Sequence, residues 1–224
     1  MMYTTQPLTD VYITSYQGVS LYNIGKQNLS EFSDFVFKQY AYHYFKKYSW
    51  YPSSGDHLNM RKSDEEQFKN SVYFGFRSSQ QNLLGTIKAT RKREGILFPI
   101  EYEFNIDIEN VIKKVGLQVN EIWHLGRLAI NSEEIRKQQL PITSREVLRY
   151  LLLHSFEVIN QQPDSLIIAE SDVLIYKIFR ELGVNMQIIG DLKECLGSPT
   201  YPVIITDIGK WIKENTINKL EEVL

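Results

Sequence analysis

Apolar side chains recur at nearly helical spacing over residues 29–48, and this pattern predicts an amphipathic helix. The positions concerned are Leu29, Phe32, Phe35, Val36, Tyr40 and Tyr44. The segment PSSGD (52–56) sets a proline and a glycine among small polar residues, so it is expected to break the helix. The charged residues 63–70 predict a further, short helical piece.

The next part of the chain has the composition of strands. SVYFGFRS (71–78) and LLGTIKATRK (83–92) are rich in β-branched and aromatic residues and are joined by a polar turn, which predicts a hairpin. FPIEYEFNID (98–107) is predicted to be extended. IENVIKKVG (108–116) predicts a short helix that ends at Gly116.

The segment NEIWHLGRLAI (120–130) predicts a strand on which neither face is cleanly apolar. Alternation places Trp123, Leu125, Arg127 and Ala129 on one face and His124, Gly126, Leu128 and Ile130 on the other. A histidine and an arginine therefore stand where a core strand would carry apolar residues.

A polar loop (131–142) precedes a predicted helix, in which Thr143 and Glu146 have the spacing of a capping box. The apolar stripe of this helix contains Val147, Leu148, Leu151, Leu152 and Phe156. The apolar segment SLIIAES (165–171) predicts a buried strand.

The remaining elements follow from caps and short apolar runs. Asp172 is expected to cap a helix that Gly183 ends. Residues 186–190 and 201–207 predict two more strands. A C-terminal helix is predicted from Trp211, Ile212, Ile217 and Leu220. This order of elements predicts an α/β (α+β) fold with a mixed sheet, in a single domain over residues 1–224.

The composition mainly excludes certain functions and types of site. The chain has 224 residues and a formal net charge of −2, which gives no argument for nucleic-acid binding. One cysteine rules out an internal disulfide, and the four histidines lack metal-ligand spacing, so no metal site is expected. The N-terminus lacks the pattern of a signal peptide and no apolar run is long enough for a membrane span, so a cytoplasmic protein is expected.

Aromatic residues make up 12% of the chain and cluster in residues 35–52, which include Trp50. Such a cluster is typical either of the wall of a binding cavity or of a core helix with tyrosines at its rim. Phosphate-binding loops of the GxxxxGK[ST] and GxGxxG types and the GxSxG elbow are absent from the sequence.

Three stretches resemble a known family. They begin at Gly85, at Phe98 and at Glu121, and the third (121–130) is the most motif-like. They are similar to the acyl-homoserine-lactone (autoinducer) synthases and the related long-chain N-acyl amino acid synthases, which are variants of the GNAT N-acyltransferase fold. The matching positions of the third stretch are Trp123, Leu125, Arg127, Leu128, Ala129 and Ile130. The family has glutamate and serine where this chain has His124 and Gly126, and a basic residue at Lys88 is usually arginine.

The resemblance implies a GNAT-like mixed, mostly antiparallel central sheet flanked by helices. It also implies acyl transfer from a thioester to the amine of an amino acid or a related small molecule. Acyl-CoA or an acyl-phosphopantetheine would be the co-substrate, without a tightly bound cofactor. Two other functions stay open: a non-catalytic small-molecule binding module, and an ordinary acetyl-CoA N-acetyltransferase.

The resemblance also assigns residues to roles. His124 is the expected base, with Glu101 and Glu103 as alternatives on one face of a strand, and Arg127 is expected to hold an acceptor carboxylate. The expected thioester- and pantetheine-binding residues are Leu128, Ala129, Ile130, Arg136, Lys137, Thr143 and Ser144. The expected substrate-binding residues are Lys88, Trp50, Trp123, Ser171 and Phe179. Phe179 stands where many GNAT enzymes have a tyrosine that protonates the departing thiolate.

The prediction of the acyl donor rests on the sequence of one loop. Acetyl-CoA GNAT enzymes have a glycine-containing pyrophosphate loop, and the interval RKQQLPITSREV (136–147) has no glycine, which favours an acyl-carrier protein over acyl-CoA. The basic residues Lys88, Arg91, Lys92 and Arg93, with Arg136, Lys137 and Arg145, form either a solvated hairpin tip or a docking patch for that acidic partner. A purely structural alternative pairs Arg127 with a glutamate of a neighbouring strand, with His124 completing the pair.

Overall fold

The computed structural model describes residues 6–221, with side chains except those of Ser54 and residues 217–221. The strands are β1 (Val11–Tyr16), β2 (Val19–Asn23), β3 (Ser71–Arg77), β4 (Leu83–Arg91), β5 (Glu121–Ile130), β6 (Ser165–Asp172), β7 (Asn185–Ile188), β8 (Lys193–Cys195) and β9 (Ser198–Thr206). The α-helices are α1 (Leu29–Tyr48), α2 (Ser54–Gln67), α3 (Pro99–Tyr102), α4 (Ile108–Val115), α5 (Ser132–Lys137), α6 (Ser144–Ile159), α7 (Val173–Glu181) and α8 (Ile208–Glu221). The predicted α/β class, with a mixed, mostly antiparallel sheet flanked by helices, is confirmed. No described helix is long and apolar enough to cross a membrane.

The chain forms two compact units. The first contains Met1–Thr90 and Arg127–Ser155, and the second contains Arg91–Gly126 and Phe156–Leu224. Strand β5 therefore contributes its last four residues to the first unit and its first six to the second. The single domain expected over residues 1–224 stays a prediction, and the two ends of that range lie outside the described residues.

In the first unit, β1, β2, β3 and β4 are neighbours in chain order and all antiparallel. The predicted 71–92 hairpin is confirmed, and its register pairs Phe74 with Ile87. Helix α1 has the predicted bounds and buries Leu29, Phe32 and Val36, because these three side chains lie on one helical face. They pack in a core with Ile24, Met60, Phe68, Tyr73, Leu83 and Ala129.

In the second unit, the first part of β5 runs parallel to β6, and β6 pairs with β9 antiparallel. Strand β9 also pairs with β7 and with β8. The core is built from apolar side chains of the strands and of the segment before β5. Its buried members are Phe98, Ile100, Ile108, Leu166, Ile168 and Ile204.

The helix ends follow the predicted capping. Glu146 accepts a hydrogen bond from the backbone N–H of Thr143 at 2.7 Å, and Thr143 Oγ1 accepts one from the N–H of Glu146 at 3.2 Å. Asp172 accepts from the N–H groups of the first turn of α7. Gly116, directly after α4, has a φ of 69°, which glycine adopts without steric cost.

Three predictions of local structure are wrong. Residues 99–102 are helical rather than extended, because Pro99 occupies the first turn, where its fixed φ favours a helix. The short helix predicted over 63–70 begins earlier, at Ser54, directly after the predicted break, where the N–H of Ser53 donates to Asp56 at 2.7 Å. The polar loop 131–142 contains α5, which Asn131 caps by accepting from the N–H of Glu134.

Candidate functional site

Strand β5 departs from regular extended geometry at Arg127. This residue has a φ of +55°, which is uncommon for a residue with a side chain, and its carbonyl oxygen accepts a hydrogen bond from Thr86 Oγ1 at 3.0 Å. The predicted alternation holds for Trp123, Leu125 and Ala129, which are 8%, 6% and 6% exposed, whereas Arg127 is only partly buried. The irregular backbone at Arg127 therefore accompanies a side chain that is less buried than those of its apolar neighbours on the strand.

The pairing of β5 also changes within the strand. Its parallel register with β6 runs from Glu121–Ser165 to His124–Ile168 and contains four pairs. In the described structure this register does not continue over residues 125–130, although β6 pairs with β9 as far as Asp172. His124 is therefore the last residue of β5 in this ladder, and the backbone groups of the following residues do not take part in it.

A buried ionic cluster lies in the first unit and consists of Asp64, Lys88 and Arg127. Asp64, on α2, has no exposed surface, and Lys88 is 3% exposed. Lys88 Nζ donates to Asp64 Oδ1 at 2.8 Å, and Arg127 Nε lies 3.1 Å from the same oxygen. Ser33 Oγ donates to Asp64 Oδ2 at 2.8 Å, so both carboxylate oxygens are satisfied. We call these three charged residues the Asp64 cluster.

Burial and charge act against each other in the Asp64 cluster. Burial raises the pKa of the Asp64 carboxyl, but the charges of Arg127 and Lys88 lower it, and the net result is a pKa below the usual 3.8. Burial lowers the pKa of Lys88 from 10.5 to about 8, against the influence of Asp64. One carboxylate faces two cations, so the cluster carries an excess of positive charge.

Arg127 is the member of the Asp64 cluster that reaches solvent, since 22% of its side chain is exposed. Its hydrogen bonds to described residues run through Nε. The Nη atoms form the other edge of the guanidinium, which can donate two parallel hydrogen bonds to a carboxylate.

A histidine–glutamate pair lies in the second unit. His124 Nε2 and Glu170 Oε2 are 2.8 Å apart, and the side chain of each is 12% exposed. Glu170 Oε1 accepts a hydrogen bond from the backbone N–H of Ile100 at 2.6 Å. Phe98 stacks on the imidazole with ring centroids 4.7 Å apart. We call this arrangement the His124–Glu170 pair.

The second ring nitrogen of His124 lies beside a glycine. A β-carbon placed on Gly126 would be 3.1 Å from Cε1 of the imidazole and 3.6 Å from Nδ1. When Nε2 donates its proton to Glu170, Nδ1 carries the lone pair. The absence of a side chain at position 126 therefore leaves space next to the nitrogen that can accept a proton.

The two predicted glutamates do not share one face of a strand. Glu101 lies in α3, accepts from the N–H of Phe98 at 2.8 Å and forms an ion pair with Lys92. Glu103 accepts a hydrogen bond from Cys195 Sγ at 3.2 Å. The premise of a common strand face is wrong because residues 99–102 are helical, and the catalytic role of either glutamate stays a prediction.

The predicted donor-binding residues all lie in the first unit. Leu128, Ala129 and Ile130 form the end of β5, and Arg136 and Lys137 are exposed at the end of α5. At the start of α6, Thr143 is part of the capping box, and Ser144 Oγ lies 2.9 Å from Ser132 Oγ. Their role in binding stays a prediction.

The predicted substrate-binding residues are distributed over both units. In the first, Lys88 belongs to the Asp64 cluster, and Trp50 contacts Tyr44 edge-on. In the second, Trp123 Nε1 donates to Glu121 at 3.0 Å. Ser171 and Phe179 are also in the second unit and are buried, at 4% and 3% exposure.

Two predictions about charged residues are wrong. Arg127 pairs with Asp64 rather than with a strand glutamate, and His124 pairs with Glu170. Lys88 belongs neither to a solvated hairpin tip nor to a docking patch, because it is buried against Asp64. Sequence reasoning missed both Asp64 and Glu170, although Glu170 is the one charged residue of the segment SLIIAES.

Neither protein-family models nor curated protein sequences match this chain. Solved structures do match. FeeM, an N-acyl amino acid synthase from uncultured soil microbes, is 11% identical over 91% of this chain and 94% of its own, with a TM-score of 0.59. BjaI, a CoA-dependent acyl-homoserine lactone synthase, is 12% identical over 86% and 82%, with a TM-score of 0.55.

A GNAT-family acetyltransferase from Staphylococcus aureus also matches, with 11% identity, coverage of 83% of this chain and 97% of its own, and a TM-score of 0.54. At these identities the similarity shows the fold and not the substrate. The chain has the GNAT fold, and the fold expected from the family resemblance is confirmed.

Proposed function

We propose that this protein is an N-acyltransferase that moves an acyl group from a thioester to the amine of an amino acid or a related small molecule. The observation that carries the proposal is the His124–Glu170 pair, which stands at the last rung between β5 and β6 in a GNAT fold. A carboxylate-oriented imidazole with one open nitrogen is suited to remove a proton from an amine.

In the proposed reaction the amine nitrogen attacks the thioester carbonyl carbon and loses a proton to Nδ1 of His124. Glu170 stabilises the resulting imidazolium through Nε2. The carbon–sulfur bond then breaks, and the sulfur leaves as a thiolate. Phe179 cannot donate a proton, so the imidazolium returns its proton to the thiolate, which regenerates the neutral pair and yields an amide and a free thiol.

Backbone N–H groups of the second half of β5 are the proposed donors to the thioester. The register with β6 ends at His124, and the left-handed conformation of Arg127 reorients the peptide groups on either side of it. Strand β5 also neighbours β4, and the N–H groups of this half that point away from β4 can stabilise the oxyanion that forms on the carbonyl oxygen. We assign this role to the segment Leu128, Ala129 and Ile130.

Arg127 is the proposed binding residue for an acceptor carboxylate. The Nε edge of its guanidinium is held by Asp64, which fixes its orientation, and the Nη edge is left for a bidentate contact. The excess positive charge of the Asp64 cluster favours an anion at this point.

The donor is proposed to be an acyl-carrier protein rather than acyl-CoA. The interval 136–147 offers no glycine for a pyrophosphate loop, whereas Arg136, Lys137 and Arg145 are exposed cations that suit an acidic carrier. BjaI, which has the same fold, is CoA-dependent, so acyl-CoA is the alternative donor.

The proposed activity is tested by incubating the purified protein with acyl-CoA thioesters or acylated carrier protein and with each of the twenty amino acids. Thiol release and the mass of the product are followed together. The proposal expects a thiol and an N-acyl amino acid in equal amounts. Binding of a thioester without thiol release would instead support a non-catalytic binding module, and acetyl transfer alone would support an ordinary N-acetyltransferase.

A further inference from the structure

The second unit contains a cavity of about 280 Å³ beside the first residues of β5. Arg91, Lys92 and Arg93 line it as three consecutive cations. Ile112, Val119 and Ile122 form its apolar wall. A cavity that combines three basic side chains with an aliphatic wall is suited to a small molecule with one anionic group.

The three cations differ in how they are neutralised. Arg91 forms an ion pair with Glu121, and Lys92 forms one with Glu101. Arg93 is exposed, and the described structure gives it no ion pair. The second oxygen of Glu121 accepts a hydrogen bond from Trp123 Nε1 at 3.0 Å. One positive charge at the cavity therefore has no counter-charge.

Arg91 also has an unused hydrogen-bond donor. Its Nε atom is buried and has no acceptor among the described residues, although 36% of the side chain is exposed. A buried N–H group without an acceptor is unfavourable, because it has lost its hydrogen bond to water. Burial lowers the pKa of Arg91, and the neighbouring charge of Arg93 lowers it further.

We propose that this cavity binds the oxyanion group, phosphate or carboxylate, of a small molecule, in addition to the ligands of the proposed acyl transfer. The oxyanion contacts the guanidinium groups of Arg91 and Arg93 and supplies the missing acceptor and the missing negative charge. The carbon part of the ligand packs against Ile112, Val119 and Ile122.

The test is a titration of the full-length protein with sodium phosphate and, separately, with sodium acetate, at constant ionic strength maintained with sodium chloride. Trp123 is the reporter, because it donates a hydrogen bond to the glutamate that pairs with Arg91. A saturable change of tryptophan fluorescence is expected, together with a saturable rise in the midpoint of thermal unfolding. Trp123→Phe should lose the fluorescence change and keep the thermal shift.

Arg93→Gln is the informative variant, since Arg93 carries the unpaired charge and makes no ion pair within the described structure whose loss would unfold the protein. The dissociation constant should rise by about tenfold or more, which corresponds to the loss of one charge-assisted hydrogen bond. Lys213→Gln, an exposed cation on α8, is the matched control and should leave the constant unchanged.

Saturation by phosphate alone assigns a phosphate ligand, and saturation by acetate alone assigns a carboxylate ligand; both results support the site. The proposal is overturned if neither anion gives a saturable response, or if Arg93→Gln binds as tightly as the wild type. Because the titration measures binding and not turnover, its failure would leave the proposed acyl transfer unaffected.

Discussion

The imidazole of His124 has the surroundings of a general base. Glu170 holds Nε2, Phe98 covers one face of the ring, and Gly126 leaves space beside Nδ1. A carboxylate partner fixes the orientation of an imidazole and stabilises its protonated form. These contacts explain why a glycine stands where the resembling family has a serine: the imidazole occupies the space that a side chain would need.

Gly126→Ser therefore tests the geometry around the imidazole. A β-carbon at this position lies 3.1 Å from Cε1 of His124, so the ring must shift to accommodate it. We expect the rate of acyl transfer to fall by about tenfold or more, with little change in the thermal unfolding midpoint. Gly55→Ser is the control, because its β-carbon would meet no atom closer than 3.9 Å. Equal rates for the two variants would contradict the assigned position of the ring.

In both the His124–Glu170 pair and the Asp64 cluster, the residue on β5 could be predicted from the sequence and its carboxylate partner could not. His124 and Arg127 were identified because they interrupt an apolar strand. Their partners, Glu170 and Asp64, are 46 and 63 residues away in sequence, and no local pattern connects them. Such pairs depend on strand register and on the packing of α2, which a single sequence does not display.

At the scale of elements, β5 and α2 together hold the buried charge. Arg127 lies at the irregular point of β5, and Asp64 lies on the face of α2 that contacts Ser33 of α1 and Tyr73 of β3. Tyr73, in the middle of β3, donates its hydroxyl proton to the carbonyl oxygen of Asp64 at 2.8 Å. The Asp64 cluster therefore links a helix to three strands by hydrogen bonds as well as by charge.

Asp64→Asn should destabilise the fold. The substitution leaves Lys88 and Arg127 without a carboxylate, and removal of one partner from a buried ion pair costs about 3–5 kcal/mol of unfolding free energy. Urea denaturation at pH 7 measures the change. Asp191→Asn, at an exposed position, is the control and should change stability by less than about 0.5 kcal/mol. A loss below about 1 kcal/mol for Asp64→Asn would contradict the burial of the cluster.

Lys88 gives a prediction about pH. Its pKa in the folded protein is about 8 and its ordinary value is 10.5, so between these values the unfolded chain binds more protons than the folded protein. Stability therefore rises with pH across this window by up to about 3 kcal/mol from this one group. In Lys88→Met that contribution is absent. Denaturation at pH 7.5 and pH 10.5 measures the free energy of unfolding of both proteins. Between these two pH values, the difference in unfolding free energy should change in favour of the wild type. The same pH dependence in both proteins would contradict the lowered pKa of Lys88.

Helices and strands were predicted correctly where the local sequence pattern was strong. Helix α1 was predicted from its apolar periodicity, the β3–β4 hairpin from its strand composition and polar turn, and α4 from its pattern and the glycine that ends it. The β1–β2 hairpin was missed, because its turn is made by Gln17 and Gly18 with positive φ and its outer strand is largely exposed. Residues 98–107 were assigned to a strand on their aromatic content, and the helix-starting position of Pro99 decided otherwise.

At the scale of the whole molecule, the GNAT fold was predicted from the order of elements and from the ten residues 121–130. The fold by itself does not determine the activity or the substrates, since one fold can carry many functions. The net charge of the chain is close to zero, so attraction of a charged partner would depend on local patches of the surface.

The exposed cations Arg136 and Lys137 give a prediction about the donor. The double variant Arg136→Glu/Lys137→Glu should slow acyl transfer from an acylated carrier protein by about tenfold, because charge reversal at an interface mainly slows association. Transfer from the free acyl-pantetheine thioester should change much less. Lys210→Glu/Lys213→Glu on α8 is the control. Equal effects on both donors would count against carrier docking at α5.

The most direct test of the proposed function is the acyl-transfer rate of His124→Ala, measured by thiol release with the thioester and amine that the wild-type protein uses best. If His124 is the base, kcat/KM falls by about 10²- to 10⁴-fold, Glu170→Gln shows a smaller fall, and the exposed control His43→Ala keeps the wild-type rate. Thermal unfolding should confirm that all three variants are folded. A folded His124→Ala protein that transfers the acyl group at the wild-type rate would contradict the role of His124 as the base.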